Sequence, residues 1–257
     1  MISEVTHFLK WWSEKFPGAD LPVSLWYTDE PGETLPPPED HRCVISDIAK
    51  ALRGVDVRLS SSSLGCTGGR RYTGFSRDLM QGFEYFLSCG LEGRVEGERY
   101  KKTPELVREH LEKSPVFDAP APVLVVKRLD RLANGDTPEV VVFFSPPDVL
   151  SGLFTLANFD EGDPFGVITP FAAGCGTVVL FPYLENRAER PRCVLGMFDV
   201  SARPYVSHNV LTFAVPFRKF LRMAANLEES FLITPSWEKV QKRIDRYRPA
   251  RPETTEV

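Results

Sequence analysis

The chain has 257 residues, 42% apolar and 26% charged, the make-up of an ordinary folded protein and not of a disordered one. Its 31 basic and 35 acidic residues leave a formal charge of -4, too small and of the wrong sign for an electrostatic footprint on nucleic acid. No stretch approaches ~20 uninterrupted apolar residues, and the start, MISEVTHFLKWW, lacks the basic head and apolar middle of an export signal, so a cytoplasmic protein without a membrane span is expected.

Val5, Phe8, Leu9 and Trp12 form the i, i+3, i+4, i+7 stripe of an amphipathic helix that Pro17-Gly18 ends. Pro22 to Tyr27 reads as a strand, and the proline-rich stretch from Pro31 to Pro38 as a loop. Cys43 to Leu52 reads as a helix with Ile45, Ile48, Ala49 and Leu52 on one side and Gly54 as its stop. Val55 to Leu59 alternates like a strand. It runs into SSSSLGCTGG, Ser60 to Gly69, and then a second helical segment carrying Phe75, Leu79, Phe83, Phe86 and Leu87. A helix from Thr103 follows, with that threonine as cap and Pro104 at the first position. Val123 to Val126 is a strand and Ala133 to Asp136 a turn.

Glu139 to Phe144 is a continuous apolar run of the kind buried on both faces of a sheet. Asp148 is the expected cap of the next helix, whose face is Val149, Leu150, Leu153, Phe154 and Leu156. Phe165 to Thr169 gives a strand, followed by the glycine-flanked Cys175. Cys193 to Phe198 is a further strand. Phe217 to Met223 and Trp237 to Ile244 are helices, and the tail after Tyr247 is expected to fray.

Strand, proline-containing loop, helix, strand and Gly-Cys recur in the same order, with Cys66 matching Cys175. The expected fold is an α/β protein, a single compact domain over residues 1–257. It is built from two similar strand-helix-strand halves, about 20–100 and 138–200, and a C-terminal helical segment, about 210–247. α/β proteins repeat this order in any case. If the halves are duplicates, right-handed crossovers place both Gly-Cys turns at one sheet edge, lining a shared cleft where Cys66 and Cys175 face each other.

Five cysteines, Cys43, Cys66, Cys89, Cys175 and Cys193, are an odd number in a chain too large to need disulfide staples. Cys66 has the best case for chemistry, because a thiol at a helix start is biased toward thiolate. Arg70 and Arg71 push the same way, and Gly65, Gly68 and Gly69 let backbone approach a ligand. With Thr67, Gly174 and Gly176 these residues form the candidate ligand or anion cradle. The lysine and four-residue spacer of a phosphate-binding P-loop are absent.

Cys43, Cys66 and Cys175 sit at element boundaries, and thiolates are soft ligands, so their convergence suits zinc or an iron–sulfur cluster with one open position. No pair forms Cys-x-x-Cys, so convergence rests on tertiary folding. The competing readings are an enzyme using Cys66 as an activated thiolate on a small anionic substrate, and a small-molecule binding module whose cysteines are structural. His41, two residues before Cys43, joins such a site, acts as its base or is a solvated loop histidine. Asp199 and Arg203 form an ion pair or turn, or bind substrate near Ser201 and His208. His7 and His110 read as surface positions on helices. The 18 phenylalanines are core material, some of them available to a homo-oligomer interface.

The phrases RCVISDIAKALRGVDVRLSSSSLGCTGG, AGCGTVVLFPYLENRAERPRCVLGMFDVSARPYV and FAVPFRKFLRMAANLEESFLITPSW resemble DUF169, a prokaryotic and notably archaeal family of cysteine-containing proteins. The resemblance runs from about Leu21 to Trp237. It implies that Cys43, Cys66, Cys175, the Gly-Gly after Cys66 and the stretch Phe198-Asp199-x-Ser201-Ala202-Arg203 belong to the family pattern. Cys89 and Cys193 have no place in it, and it implies no activity.

Overall fold

The computed structural model describes residues 1–30, 32–38 and 42–247. Among them seven strands form one sheet: β1 (Val23–Thr28), β2 (Val57–Leu59), β3 (Val123–Arg128), β4 (Val140–Ser145), β5 (Val167–Ile168), β6 (Cys193–Gly196) and β7 (Leu211–Pro216). Their spatial order is β2-β3-β1-β4-β7-β6-β5. The helices are α1 (Ile2–Lys15), α2 (Val44–Leu52), α3 (Thr67–Tyr72), α4 (Phe83–Phe86), α5 (Pro104–Lys113), α6 (Pro147–Ala157), α7 (Phe181–Glu185), α8 (Phe217–Ala225) and α9 (Pro235–Arg246). A π-helix, Gly176–Leu180, runs straight into α7.

The sheet separates two apolar layers, which is why its central strands are apolar on both sides. Val140, Val142 and Phe144 of β4 face a core shared with α2, α3, the π-helix and α7, while Val141 and Phe143 face one built with α1, α6, α8 and α9. The continuous run of β4 is therefore buried throughout, as its composition requires. On the second face Trp12 stacks on Phe16 at 4.4 Å between ring centroids, and Phe16 in turn meets Trp237 of α9 at 5.0 Å. That face clamps the two ends of the described chain together. All three family-pattern cysteines belong to the first face.

The α/β class expected from the sequence is found, but the sheet is not built from crossovers. β5 and β6 are the only parallel pair among the described strands; β1–β3, β1–β4, β2–β3, β4–β7 and β6–β7 are antiparallel. The element order recurs in the two halves, yet α2 packs on one face and α6 on the other. A two-fold axis relating the antiparallel neighbours β1 and β4 keeps their helices on a common face, so the likeness of the halves goes no further than element order.

Four local expectations change. The helix drawn through Phe75 to Leu87 shrinks to α4, because Gly74 (φ +77°) and Gly82 (φ +76°) turn the chain into the left-handed region on either side. Gly74 is also pressed on the Ala119 amide nitrogen, where a Cβ would have 2.8 Å. Asp148 does not cap α6, whose cap is Pro146; its carboxylate instead pairs with Arg243 of α9. β7 lies inside the stretch expected to be helical, and Phe165 to Thr169 keeps only two residues of strand. The tail after Tyr247 lies outside the described residues. Thr103 and Pro104 start α5 as read, the threonine hydroxyl accepting the Leu106 N–H at 3.4 Å.

Candidate functional site

Three helix starts meet on the first face, and each carries a cysteine. Cys43 is the residue before α2, Cys66 the residue before α3 and Cys175 the residue before the π-helix. Cys43 and Cys66 are extended, the conformation that lets a side chain turn back over the first free amides. The Cys66 sulfur accepts the Gly69 N–H at 3.4 Å in the way a serine or aspartate cap does.

Glycines permit the approach of the three starts. A Cβ on Gly69 would lie 3.5 Å from the Cys66 Cβ and 3.8 Å from the Val44 Cβ, so α3 rests on the first residue of α2. One on Gly174 would lie 2.9 Å from the Ala202 Cβ and 3.5 Å from Cγ1 of Ile45. One on Gly176 would lie 3.1 Å from Cδ1 of Tyr72. The segment around Cys175 is thus wedged against the first turn of α2 and the last residue of α3. π-Helical turns are rare and concentrate at functional sites, and this one begins directly after Cys175.

The electrostatics follow from that packing. Burial pushes the Cys175 thiol well above its ordinary range, and the neighbouring Cys43 and Cys66 thiols and the Asp199 carboxylate push it further. Burial also raises Cys43, with Cys66 and Asp199 adding to it and the Ile45 and Ser46 backbone amides opposing. Tyr72 is raised to about 12, by burial first and then by Cys175, against the pull of Arg71. Cys43, Cys66, Cys175, Tyr72 and Asp199 therefore make up the candidate pocket.

Asp199 anchors that pocket. Its Oδ2 accepts the Gly174 N–H at 2.9 Å, and its Oδ1 accepts the Ser201 N–H at 3.0 Å and the Ser201 hydroxyl at 2.7 Å. The ion pair with Arg203 expected from the sequence does not form. Arg203 donates to the carbonyls of Val210, Ser207 and His208, while the turn half of that expectation holds through Ala202 N–H to Asp199 carbonyl at 3.1 Å. Above Ser201 lies Tyr100, raised by burial and by its hydrogen bond to Glu98, and lowered by its hydrogen bond to Ser201. Lys101 sits 4.1 Å over the Phe171 ring, and His110 meets the same ring edge-on.

The remaining candidates are placed as follows. Thr67 opens α3, and Gly65 and Gly68 flank the Cys66 turn. Arg71 donates to the Arg77 carbonyl, and the Arg70 Nε is buried without a partner among the described residues. Cys89 is exposed, on a surface loop. Cys193 is fully buried on the opposite face of the sheet, its thiol raised to about 12 by burial. Neither joins the pocket. His208 is exposed; His7 and His110 are half-buried, not fully on the surface, and His41 lies outside the described residues. Among the described residues no group of three or more His, Cys, Asp or Glu side chains is arranged to hold a metal ion. None of the described helices is long and apolar enough to cross a membrane.

Tyr72 escaped the sequence reading. Its signal was the i, i+4 spacing from Gly68, which leaves room on a helix for the ring to fold back toward Cys66.

A family model described as Uncharacterised ArCR, DUF169, matches residues 20–226, the span that holds every residue of this pocket. No curated protein and no solved structure matches the chain.

Proposed function

The chain belongs to the DUF169 family, and from that premise, which brings no activity with it, we propose that the protein holds an iron–sulfur cluster through Cys43, Cys66 and Cys175. One coordination position is left for a ligand. The observation that carries this reading is the meeting of three cysteines from distant parts of the chain at three helix starts.

The donor set fits such a group chemically. Thiolates are soft ligands, and amide N–H groups aimed at sulfur stabilise the negative charge that a thiolate-ligated cluster carries. Burial keeps Cys43 and Cys175 protonated, and a bound metal is the charge that would replace those protons. The thiols of a single zinc lie about 4 Å apart, given ~2.3 Å bonds, and among the described residues no group of three or more His, Cys, Asp or Glu side chains is drawn together for one ion. A polynuclear cluster spaces its ligands more widely. A cytoplasmic setting belongs to the same proposal, since all five cysteines are free thiols.

The test is anaerobic purification followed by iron, acid-labile sulfide and visible absorbance. The expected result is a broad visible band with stoichiometric iron and sulfide. Cys43→Ala, Cys66→Ala or Cys175→Ala abolishes it, and Cys89→Ala or Cys193→Ala leaves it in place. A colourless, metal-free protein in which Cys66 alone is alkylated quickly at neutral pH overturns this in favour of a thiolate nucleophile. Slow alkylation of every thiol without metal leaves a small-molecule binding module.

A further inference from the structure

We propose that residues 75–118 form a lid over the cysteine pocket, hinged where the two ends of the segment meet and latched on Phe171. The inference concerns access to the pocket and does not depend on what the three cysteines bind.

The segment leaves the body at Gly74 and returns at Ala119, and these two residues are joined, the Ala119 N–H donating to the Gly74 carbonyl at 2.9 Å. Arg77 and Asp118 close the same neck with two hydrogen bonds, Nε to Oδ1 at 2.9 Å and Nη2 to Oδ2 at 2.7 Å. Phe75 and Phe117 root it in the first-face core, each with its ring centroid 6.0 Å from that of Tyr27. Beyond the neck, among the described residues, the backbone hydrogen bonds of residues 83–114 close within the segment. The Glu98 N–H reaches the Phe86 carbonyl at 2.7 Å and the Lys101 N–H the Leu87 carbonyl at 3.0 Å, which ties the loop to α4, and Arg108 of α5 reaches Glu84 of α4 at 3.2 Å. Val107 of α5 is 0% exposed yet belongs to none of the apolar clusters on the sheet. The helical part of the segment therefore has a small interior of its own. A unit that shares little apolar surface with the body opens at a lower free energy than the sheet unfolds.

The segment comes down on the rim of the pocket. Lys101 Nζ lies 4.1 Å over the Phe171 ring, His110 meets that ring edge-on at 5.5 Å, and Tyr100 bonds Ser201. Phe171 leads through Gly174 into Cys175, and Ser201 donates to Asp199, whose other oxygen holds the Gly174 N–H. The latch thus rests on the two stretches that frame Cys175. Phe171 remains 56% exposed, gripped from one side only. One cation–π contact and one edge-on pair at a half-exposed ring are weak enough to break reversibly, and a lid of this kind admits a ligand when open and excludes water when shut.

Phe171→Ala removes the latch. Wild type and variant, both full-length and kept metal-free with a chelator, are compared by peptide-resolved hydrogen exchange and by iodoacetamide alkylation. The expected result is exchange about tenfold faster across residues 83–114 in the variant, with β4 and β7 unchanged. Cys43, a half-buried thiol of the pocket, is alkylated faster by a similar factor, while Cys193 on the other face of the sheet is not. Lys101→Met keeps the ring, removes the cation and moves both readouts in the same direction by a smaller factor. Equal exchange in wild type and both variants overturns the latch. Faster exchange with an unchanged Cys43 rate overturns the lid, because the segment then moves without covering the pocket. A rise that includes β4 and β7 reports loosening of the whole fold and overturns it as well. Since the protein carries no metal in this test, failure of the cluster reading leaves each of these outcomes as it stands.

Discussion

Replacing Asp199 by alanine tests how the pocket is held together. The carboxylate accepts three hydrogen bonds, one from the Gly174 N–H at the start of the Cys175 segment and two from Ser201. Losing a side-chain cap at a helix start costs roughly 0.5–2 kcal/mol. The Ser201 groups lie at the exposed rim, where water replaces the lost acceptor and adds little. Asp199→Ala should therefore destabilise the protein by about 1–2 kcal/mol, a fall in Tm of about 4 °C for a chain of this size. Asp199→Asn retains an acceptor oxygen and should cost less. The charge has a separate signature. Asp199 raises the pKa of Cys43 and Cys175, so both variants should ionise Cys43 more readily and speed its alkylation by iodoacetamide at pH 8. Calorimetry and peptide-resolved alkylation read the two effects independently. An unchanged Tm together with an unchanged Cys43 rate would refute the placement of Asp199 at the junction of these helix starts.

Three other outcomes follow from the same packing. Gly174→Ala sets a Cβ 2.9 Å from that of Ala202 and 3.3 Å from the Met197 sulfur, and such overpacking costs about 1–3 kcal/mol by urea denaturation; no loss means the segment is looser than described. The folded-state pKa of Cys193 is raised from 9.0 to about 12, so its contribution to stability is complete below the lower value and is lost as pH rises toward the upper one. Urea midpoints between pH 9 and 11 should carry a slope of up to about 1.4 kcal/mol per pH unit from this thiol, and Cys193→Ala should reduce that slope. Lys219, 1% exposed, pairs with Glu161 at 2.8 Å, and Arg222 shares the same carboxylate at 3.0 Å. Breaking a buried pair costs about 3–5 kcal/mol. Because Arg222 stays, Lys219→Ala should fall at the low end, and a loss under about 1 kcal/mol by urea denaturation contradicts the buried pairing.

Much of this architecture is legible in the sequence because local chemistry dictates it. Thr103-Pro104 is both cap and first-turn residue, so α5 starts where the residues say. The apolar run before Ser145 has no polar face to expose and forms the central strand β4. Longer-range facts are not written locally. Strand order depends on which apolar face finds which partner, so an order of elements typical of crossovers yields a mostly antiparallel sheet. β7 is flanked by a helix with no punctuating turn between, Pro216 ending one as Phe217 begins the other, which is why the stretch reads as helical. In the pocket, the cysteines and glycines announce themselves by type. Asp199 reads as an ion-pair, turn or substrate-binding residue beside Arg203 and not as the partner of the Gly174 amide, which is 25 residues away in sequence. Tyr72 looks like one more aromatic until Gly68 and Gly176 are seen on either side of its ring.

The most direct test of the account is anomalous diffraction at the iron edge from an anaerobically grown crystal of the full chain. A single group of iron peaks within which Cys43, Cys66 and Cys175 each bond a different iron, at metal–sulfur distances of about 2.3 Å, is the expected result. Iron-free density with the three sulfurs pointing into separate parts of the molecule contradicts it.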